Sequence, residues 1–116
     1  MKILVTGGNG FIGSNLIKRL LSEGKFYAGT SAGSYLLCPN IDMMDWTEDT
    51  KFNRHGVSDL TALGIVPLQV VCHMNRKEDI YDKIKKQADK SPYDVELLND
   101  GQAILVEDDK VTLLET

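Results

Sequence analysis

Long apolar runs, clustered cysteines and an excess of basic charge are all missing from this 116-residue chain. No stretch approaches the twenty or so apolar residues that a bilayer-spanning helix needs. The opening MKILVTGG holds one lysine and four apolar residues before its glycines, too short for a secretory signal core. The two cysteines, Cys38 and Cys72, lack CxxC spacing and read neither as a disulfide framework nor as a metal site, which fits a reducing, cytoplasmic setting. With 13 Lys and Arg against 17 Asp and Glu, the formal charge is -4 and the isoelectric point is near 5.1. That balance argues against a nucleic-acid partner, whose phosphates call for clustered basic side chains. The short basic run at Lys83, Lys85 and Lys86 is offset by Glu78, Asp79 and Asp82 and reads as a solvated helix face.

What is present suits one small globular domain over residues 1–116, with 42% hydrophobic and 26% charged residues and no repeat. Residues 2–6 (KILVT) form an apolar run ending at glycine, the pattern of a buried parallel strand. Residues 11–23 carry Ile12, Leu16, Ile17, Leu20 and Leu21 at helical spacing, with Gly24 placed to stop the helix. Residues 26–30 predict a second strand, and residues 32–38 a short helix ended by Pro39. Residues 40–63 hold no period and predict a long loop. The β-branched run 65–73 (IVPLQVVCH) predicts a strand with an edge or bulge at Pro67. Residues 76–90, with Ile80, Ile84 and Ala88 on one side, predict an amphipathic helix. A strand at 95–98 and a hairpin of 102–107 and 110–114, turned at Asp108 and Asp109, complete the chain. The expected class is α/β: a Rossmann-like or flavodoxin-like three-layer sandwich with a mostly parallel sheet and a C-terminal β-hairpin.

Two glycine-rich turns carry the chemistry. The first, T-G-G-N-G-F-I-G, sets Gly7, Gly10 and Gly13 between a strand and a helix, where backbone N–H groups can cradle a pyrophosphate. Residues 1–24 closely resemble the opening of the extended short-chain dehydrogenases, which implies an NAD(P)-binding fragment as one reading. That family's next strand ends in an acidic residue for the ribose, and here KFYAGT offers none. Its Y-x-x-x-K pair finds a match at Tyr81 and Lys85, too close to the glycine loop for the family's intervening elements.

The second turn, G-T-S-A-G, brackets Ser31 with Gly29 and Gly33. G-x-S-x-G suits a strand-to-helix elbow that exposes a hydroxyl, since side chains at the flanking positions would collide with the turn; a serine capping a helix gives the same pentapeptide. His73, ending a predicted strand, is the candidate base, whereas His55 lies in a polar loop. Carboxylates to orient an imidazole stand at Asp42, Asp45 and Glu48.

G-T-S-A-G-S with C-P eight residues on, the stretch D-L-x-A-L-G-I-V-P-L, the strand ending in His73 and the terminal D-G-Q-A-I-L-V-E-D-D-K-V together resemble the peptidase E (aspartyl dipeptidase) family of serine peptidases, in the class I glutamine amidotransferase-like group. The resemblance covers residues 25–116. It implies Ser31 as nucleophile, His73 as base and Asp45 as the carboxylate nearest the family's spacing, displaced by one residue because Trp46 holds the matching column. It implies oxyanion donors at the backbone N–H of Ala32 and, through the G-G-N turn, of Gly8. It implies a small peptide substrate, Asp-containing in the peptidase E case, with Arg54 or Arg76 to meet an acidic group, and no cofactor or metal. A dehydrogenase-like element ahead of a peptidase-like part marks the chain as a chimera, a truncation or a recombinant. The alternative expectation is then an inactive module of the same fold that dimerises to cover an exposed sheet.

Overall fold

A computed structural model describes residues 11–47, 56–108 and 110–115. The first element, α1 (Phe11–Ser22), stops at Gly24 as its sequence predicts. Gly24 takes φ 80°, and the N–H groups of Gly24 and Lys25 return to the carbonyls of Leu21 and Leu20, both at 3.0 Å. Such a stop needs a left-handed residue, which glycine supplies without a Cβ penalty.

Residues 25–30 form no regular element and join no sheet among the described residues, and Phe26 is 96% exposed. The predicted strand there is therefore not formed; its expected neighbour, residues 2–6, lies outside the described residues. The following helix, α2 (Ala32–Tyr35), is shorter than predicted because its last turn tightens: Leu37 and Cys38 donate to Ser34 and Tyr35, three residues back, just before Pro39.

The predicted loop 40–63 has structure of its own. A 3-10 helix spans Asp42–Thr47, and the loop's ends are stitched by Ile41 N–H to Leu60 O at 2.9 Å and Ala62 N–H to Pro39 O at 3.0 Å. Then β1 (Leu68–Val71) follows Pro67, and every residue of it is buried, as expected of a parallel strand covered on both faces. Two 3-10 turns, Met74–Arg76 and Glu78–Ile80, lead into α3 (Tyr81–Lys90), so the helical segment predicted from residue 76 is α-helical only from residue 81. Its Ile84 is wholly buried.

α3 returns the chain to β2 (Asp94–Leu97), which pairs parallel to β1 with Leu68 opposite Asp94 and Val71 opposite Leu97. This is a β-α-β crossover. β3 (Gln102–Glu107) and β4 (Lys110–Glu115) form the predicted antiparallel hairpin, closed by Glu107 opposite Lys110, with Asp108 at φ 46° in the turn. The described residues thus form two two-stranded sheets, one parallel and one antiparallel, rather than one mostly parallel sheet.

The core gathers Tyr35, Cys38, Met43, Val71, Met74, Ile84 and Leu98 around β1. One polar side chain is buried among them. Gln69 Nε2 donates to Asn40 Oδ1 at 2.6 Å and to Asp42 Oδ1 at 2.5 Å, while its Oε1 accepts from Ser91 Oγ at 2.5 Å. A buried amide satisfied on both ends pins the 40–42 segment and the exit of α3 to one strand.

Candidate active site

Ser31 sits at the N-terminal boundary of α2 with φ 50° and ψ -121°. A non-glycine residue in that region is strained by roughly 1–3 kcal/mol, and surrounding bonds must hold it. Gly33 N–H donates to Thr30 O at 2.9 Å, Ser34 N–H to Ser31 O at 3.0 Å, and Ser34 Oγ to Gly29 O at 2.9 Å. Tyr27 OH donates to Gly33 O at 3.0 Å. The two glycines of the pentapeptide differ in their need. A Cβ at Gly29 would stand 2.5 Å from Gly33 O and 2.9 Å from Ser34 N, whereas a Cβ at Gly33 meets nothing within 4 Å among the described residues. The collision argument made from sequence therefore holds at position 29 and not at 33.

β1 delivers His73 to this bend. Its ladder with β2 extends through Leu98 N–H to Val71 O at 2.8 Å and Met74 N–H to Leu98 O at 2.9 Å, and Tyr35 OH accepts the Cys72 N–H at 3.2 Å, tying α2 to the strand end. His73 then turns off in the left-handed region at φ 60°. Of the three described non-glycine residues with positive φ, Ser31 and His73 are two.

Their side chains meet. Ser31 Oγ lies 3.1 Å from His73 Nε2, and His73 Nδ1 lies 2.5 Å from Asp100 Oδ1. The other Asp100 oxygen accepts from Arg76 Nε at 2.7 Å and Asn75 Nδ2 at 3.3 Å, and Asp100 N–H donates to Asn75 Oδ1 at 2.8 Å. The hydrogen bond from His73 foremost, and then Asn75 and Arg76, hold the Asp100 carboxyl below its ordinary range. An ionised carboxylate can only accept, so Nδ1 carries the ring proton and the Nε2 lone pair is left to take the Ser31 hydroxyl proton. The His73 and Asp100 side chains are about a third exposed, open enough for a substrate to reach.

The carboxylate on His73 is thus Asp100, not Asp45. Asp45 is exposed on the 3-10 helix Asp42–Thr47, and Asp42 of that helix is bonded to Gln69, four residues before His73 and roughly 13 Å back along an extended chain. Asp100 and Asn75 were not singled out from the sequence. The signal was the N-D-G turn after the strand predicted at 95–98: parallel strands end at one edge, so the turn beyond β2 stands beside the turn beyond β1. The backbone N–H of Ala32 directly follows Ser31 and opens α2. Gly7, Gly8, Gly10, Glu48, Arg54 and His55 lie outside the described residues, and Gly13 falls within α1. Lys85 is paired with Asp89 at 3.3 Å on α3, where Tyr81 is exposed.

A cleft of about 480 Å³ opens beside Ser31 and His73, between residues 27–30, β1 and the hairpin. The neighbouring thiols are unreactive by environment: burial pushes Cys38 up to about 11 and raises Cys72 as well. No group of three His, Cys, Asp or Glu suited to a metal occurs among the described residues, and no described helix is long and apolar enough to cross a membrane.

The sequence model of peptidase family S51 matches residues 2–114. An uncharacterized peptidase of Pasteurella multocida (strain Pm70) is 35% identical over 80 residues, covering 61% of this chain and 38% of that protein. The 1.5 Å crystal structure of a protein from Listeria monocytogenes EGD-e, provisionally named a peptidase E, is similar with a TM-score of 0.71 and 25% identity over 88% of this chain and 48% of the other. The chain spans less than half the length of these relatives. The family match takes in the glycine-rich opening from residue 2, and the dehydrogenase resemblance and the chimera it suggested gain no support from these comparisons.

Proposed function

Because this chain belongs to peptidase family S51, we propose that it is a serine hydrolase of small peptides in which Ser31 is the nucleophile, His73 the general base and Asp100 the residue that positions the imidazole. The observation that carries this reading is the unbroken line from Ser31 Oγ through His73 to Asp100, at 3.1 and 2.5 Å. Ser31 Oγ attacks the scissile carbonyl carbon while its proton passes to His73 Nε2. The carbonyl π pair moves onto oxygen, where the Ala32 N–H donates to the developing charge. Collapse expels the amine, which takes the proton from His73, and leaves an ester on Ser31. A water then repeats the sequence, its proton going to His73 and back to Ser31 Oγ as the acid departs.

Arg76, one of the two arginines that the family resemblance offered for an acidic substrate, is bonded to Asp100 and serves to orient it. A fluorophosphonate probe should label the protein at Ser31, and Ser31→Ala or His73→Ala should abolish labelling. A folded sample that stays unlabelled overturns the assignment. A second reading, a module that associates with a copy of itself, draws on the hairpin, where Leu105, Val111, Leu113 and Leu114 are 39–48% exposed. Sedimentation showing a monomer at micromolar concentration would dismiss it.

A further inference from the structure

Three successive peptide planes around His73 are each held by a separate bond. Tyr35 OH accepts the Cys72 N–H at 3.2 Å ahead of it, and Leu98 O accepts the Met74 N–H at 2.9 Å beyond it. The plane between them, which joins Cys72 to His73, is gripped by Lys77 Nζ, donating to Cys72 O at 2.7 Å. This plane bears directly on the φ of His73, which stands at 60°, in the left-handed region that a residue with a Cβ enters only against steric resistance. Release of the plane lets φ relax toward the negative values open to any residue, and the His73 ring then turns relative to Ser31 and Asp100. Lys77 stands between the 3-10 turns Met74–Arg76 and Glu78–Ile80, partly buried, and burial pushes its ammonium below the ordinary range. A cation drawn from water to a neutral carbonyl loses hydration, whereas a hydrocarbon of similar length would fill the space without that loss. Stability alone gives little reason for a lysine here; what it holds in place does.

We propose that Lys77 is a positioning residue for the reaction: through the Cys72 carbonyl it fixes the turn that presents the His73 imidazole to Ser31 and Asp100. Its catalytic meaning rests on Ser31 and His73 acting as assigned above, but the geometry it controls is measurable without turnover. A hydrogen bond to a charged group shifts a two-state equilibrium by about ten- to hundredfold, and because sterics oppose the left-handed turn, little of that factor is held in reserve. Lys77→Met removes the donor and keeps most of the stem. The hydration no longer lost offsets the missing bond, so reactivity should fall while stability changes little.

The test uses the full chain and two readouts. In Lys77→Met the limiting rate of fluorophosphonate labelling should fall about tenfold or more, with the half-saturating probe concentration nearly unchanged and the unfolding temperature within about 5 °C of the unsubstituted protein. The proton NMR resonance of His73 Nδ1–H, held far downfield by its bond to Asp100, should broaden or move upfield. Lys77→Arg, which again offers an N–H to the carbonyl, should recover most of the rate and the resonance, which a filler of space would not do. Lys77→Gln, neutral and shorter, gives the same comparison if Lys77→Met does not fold. A limiting rate and a resonance that both stay as in the unsubstituted protein overturn the proposal, and so does a loss that Lys77→Arg leaves unrecovered. Failure of the underlying assignment looks different. An unsubstituted protein that stays unlabelled refutes Ser31 as nucleophile, and the resonance then decides Lys77 by itself: displaced in Lys77→Met it supports the positioning role, unchanged it refutes it.

Discussion

Replacing Asp100 by Asn changes one oxygen for one NH₂ and should silence the site. Asp100 presents two oxygens with different audiences. Oδ2 faces two donors, Arg76 Nε at 2.7 Å and Asn75 Nδ2 at 3.3 Å, and Oδ1 faces His73 Nδ1 at 2.5 Å. An asparagine will keep its carbonyl toward the two donors, because an NH₂ there would leave three donors without an acceptor. Its NH₂ then points at Nδ1, which must accept instead of donate. The ring proton moves to Nε2, and His73 offers Ser31 a donor where a base is needed. The equivalent change in the Ser-His-Asp template lowers kcat about 10⁴-fold, about 5 kcal/mol of barrier. Because the His73 and Asp100 side chains are about a third exposed, water can support part of the correct tautomer, and we expect a loss of about 10³-fold or more. The assay is the second-order rate of fluorophosphonate labelling at Ser31, with thermal unfolding as the control for intact structure. Labelling within tenfold of the unsubstituted protein, at an unchanged unfolding temperature, would refute the tautomer argument.

Three further outcomes follow from the same geometry. Gly29→Ala drives a Cβ to 2.5 Å from Gly33 O, a backbone atom that no rotamer change relieves, and should cost about 2–3 kcal/mol, lowering the unfolding midpoint by about 10–20 °C; Gly33→Ala should stay within about 1 kcal/mol, and equal effects at the two positions would defeat the steric account. Gln69→Leu takes the amide partner from Asp42 Oδ1, Asn40 Oδ1 and the Ser91 hydroxyl, of which the last two keep backbone donors at Asp42 and Tyr93, and should cost about 1–3 kcal/mol in a urea titration; a loss under 0.5 kcal/mol would mean that water replaces the amide. Asp100 is depressed in the folded state, so its stabilisation is present above the unfolded carboxyl value and is lost as pH falls through the folded one. Arg76→Ala removes part of that depression and should raise the pH at which Asp100 protonates, read from its carboxyl carbon shift in an NMR titration; a midpoint that stays put or moves down would exclude Arg76 from holding the carboxylate.

Local pattern carried the elements whose determinants are local. The hairpin was legible because β3 alternates along its length and an acidic pair in the sequence separates two apolar runs, and α1 was legible down to the glycine that stops it. The 26–30 strand was misread because its apolar character speaks of burial and says nothing about a partner edge, and among the described residues no strand pairs with it. Ser31 and His73 stood out for complementary reasons: one is framed by glycines, the other ends an apolar run. Asp100 was hidden since nothing in N-D-G differs from any surface turn; what selects it is the parallel register, with Val71 opposite Leu97, which sets the residues after both strands side by side. Searching near the C-P dipeptide for the acid followed a family spacing instead of the sheet.

The strand end at His73 also fixes when such a site can exist during folding. His73 bonds to a serine 42 positions earlier and an aspartate 27 positions later, so no helix or hairpin formed alone holds any two of the three groups together. The constellation waits for both long closures, the slow steps of a chain's assembly. A reagent that consumes only the activated hydroxyl would therefore act as a clock for complete folding, reporting the last closure after helix signals have already reached their plateau.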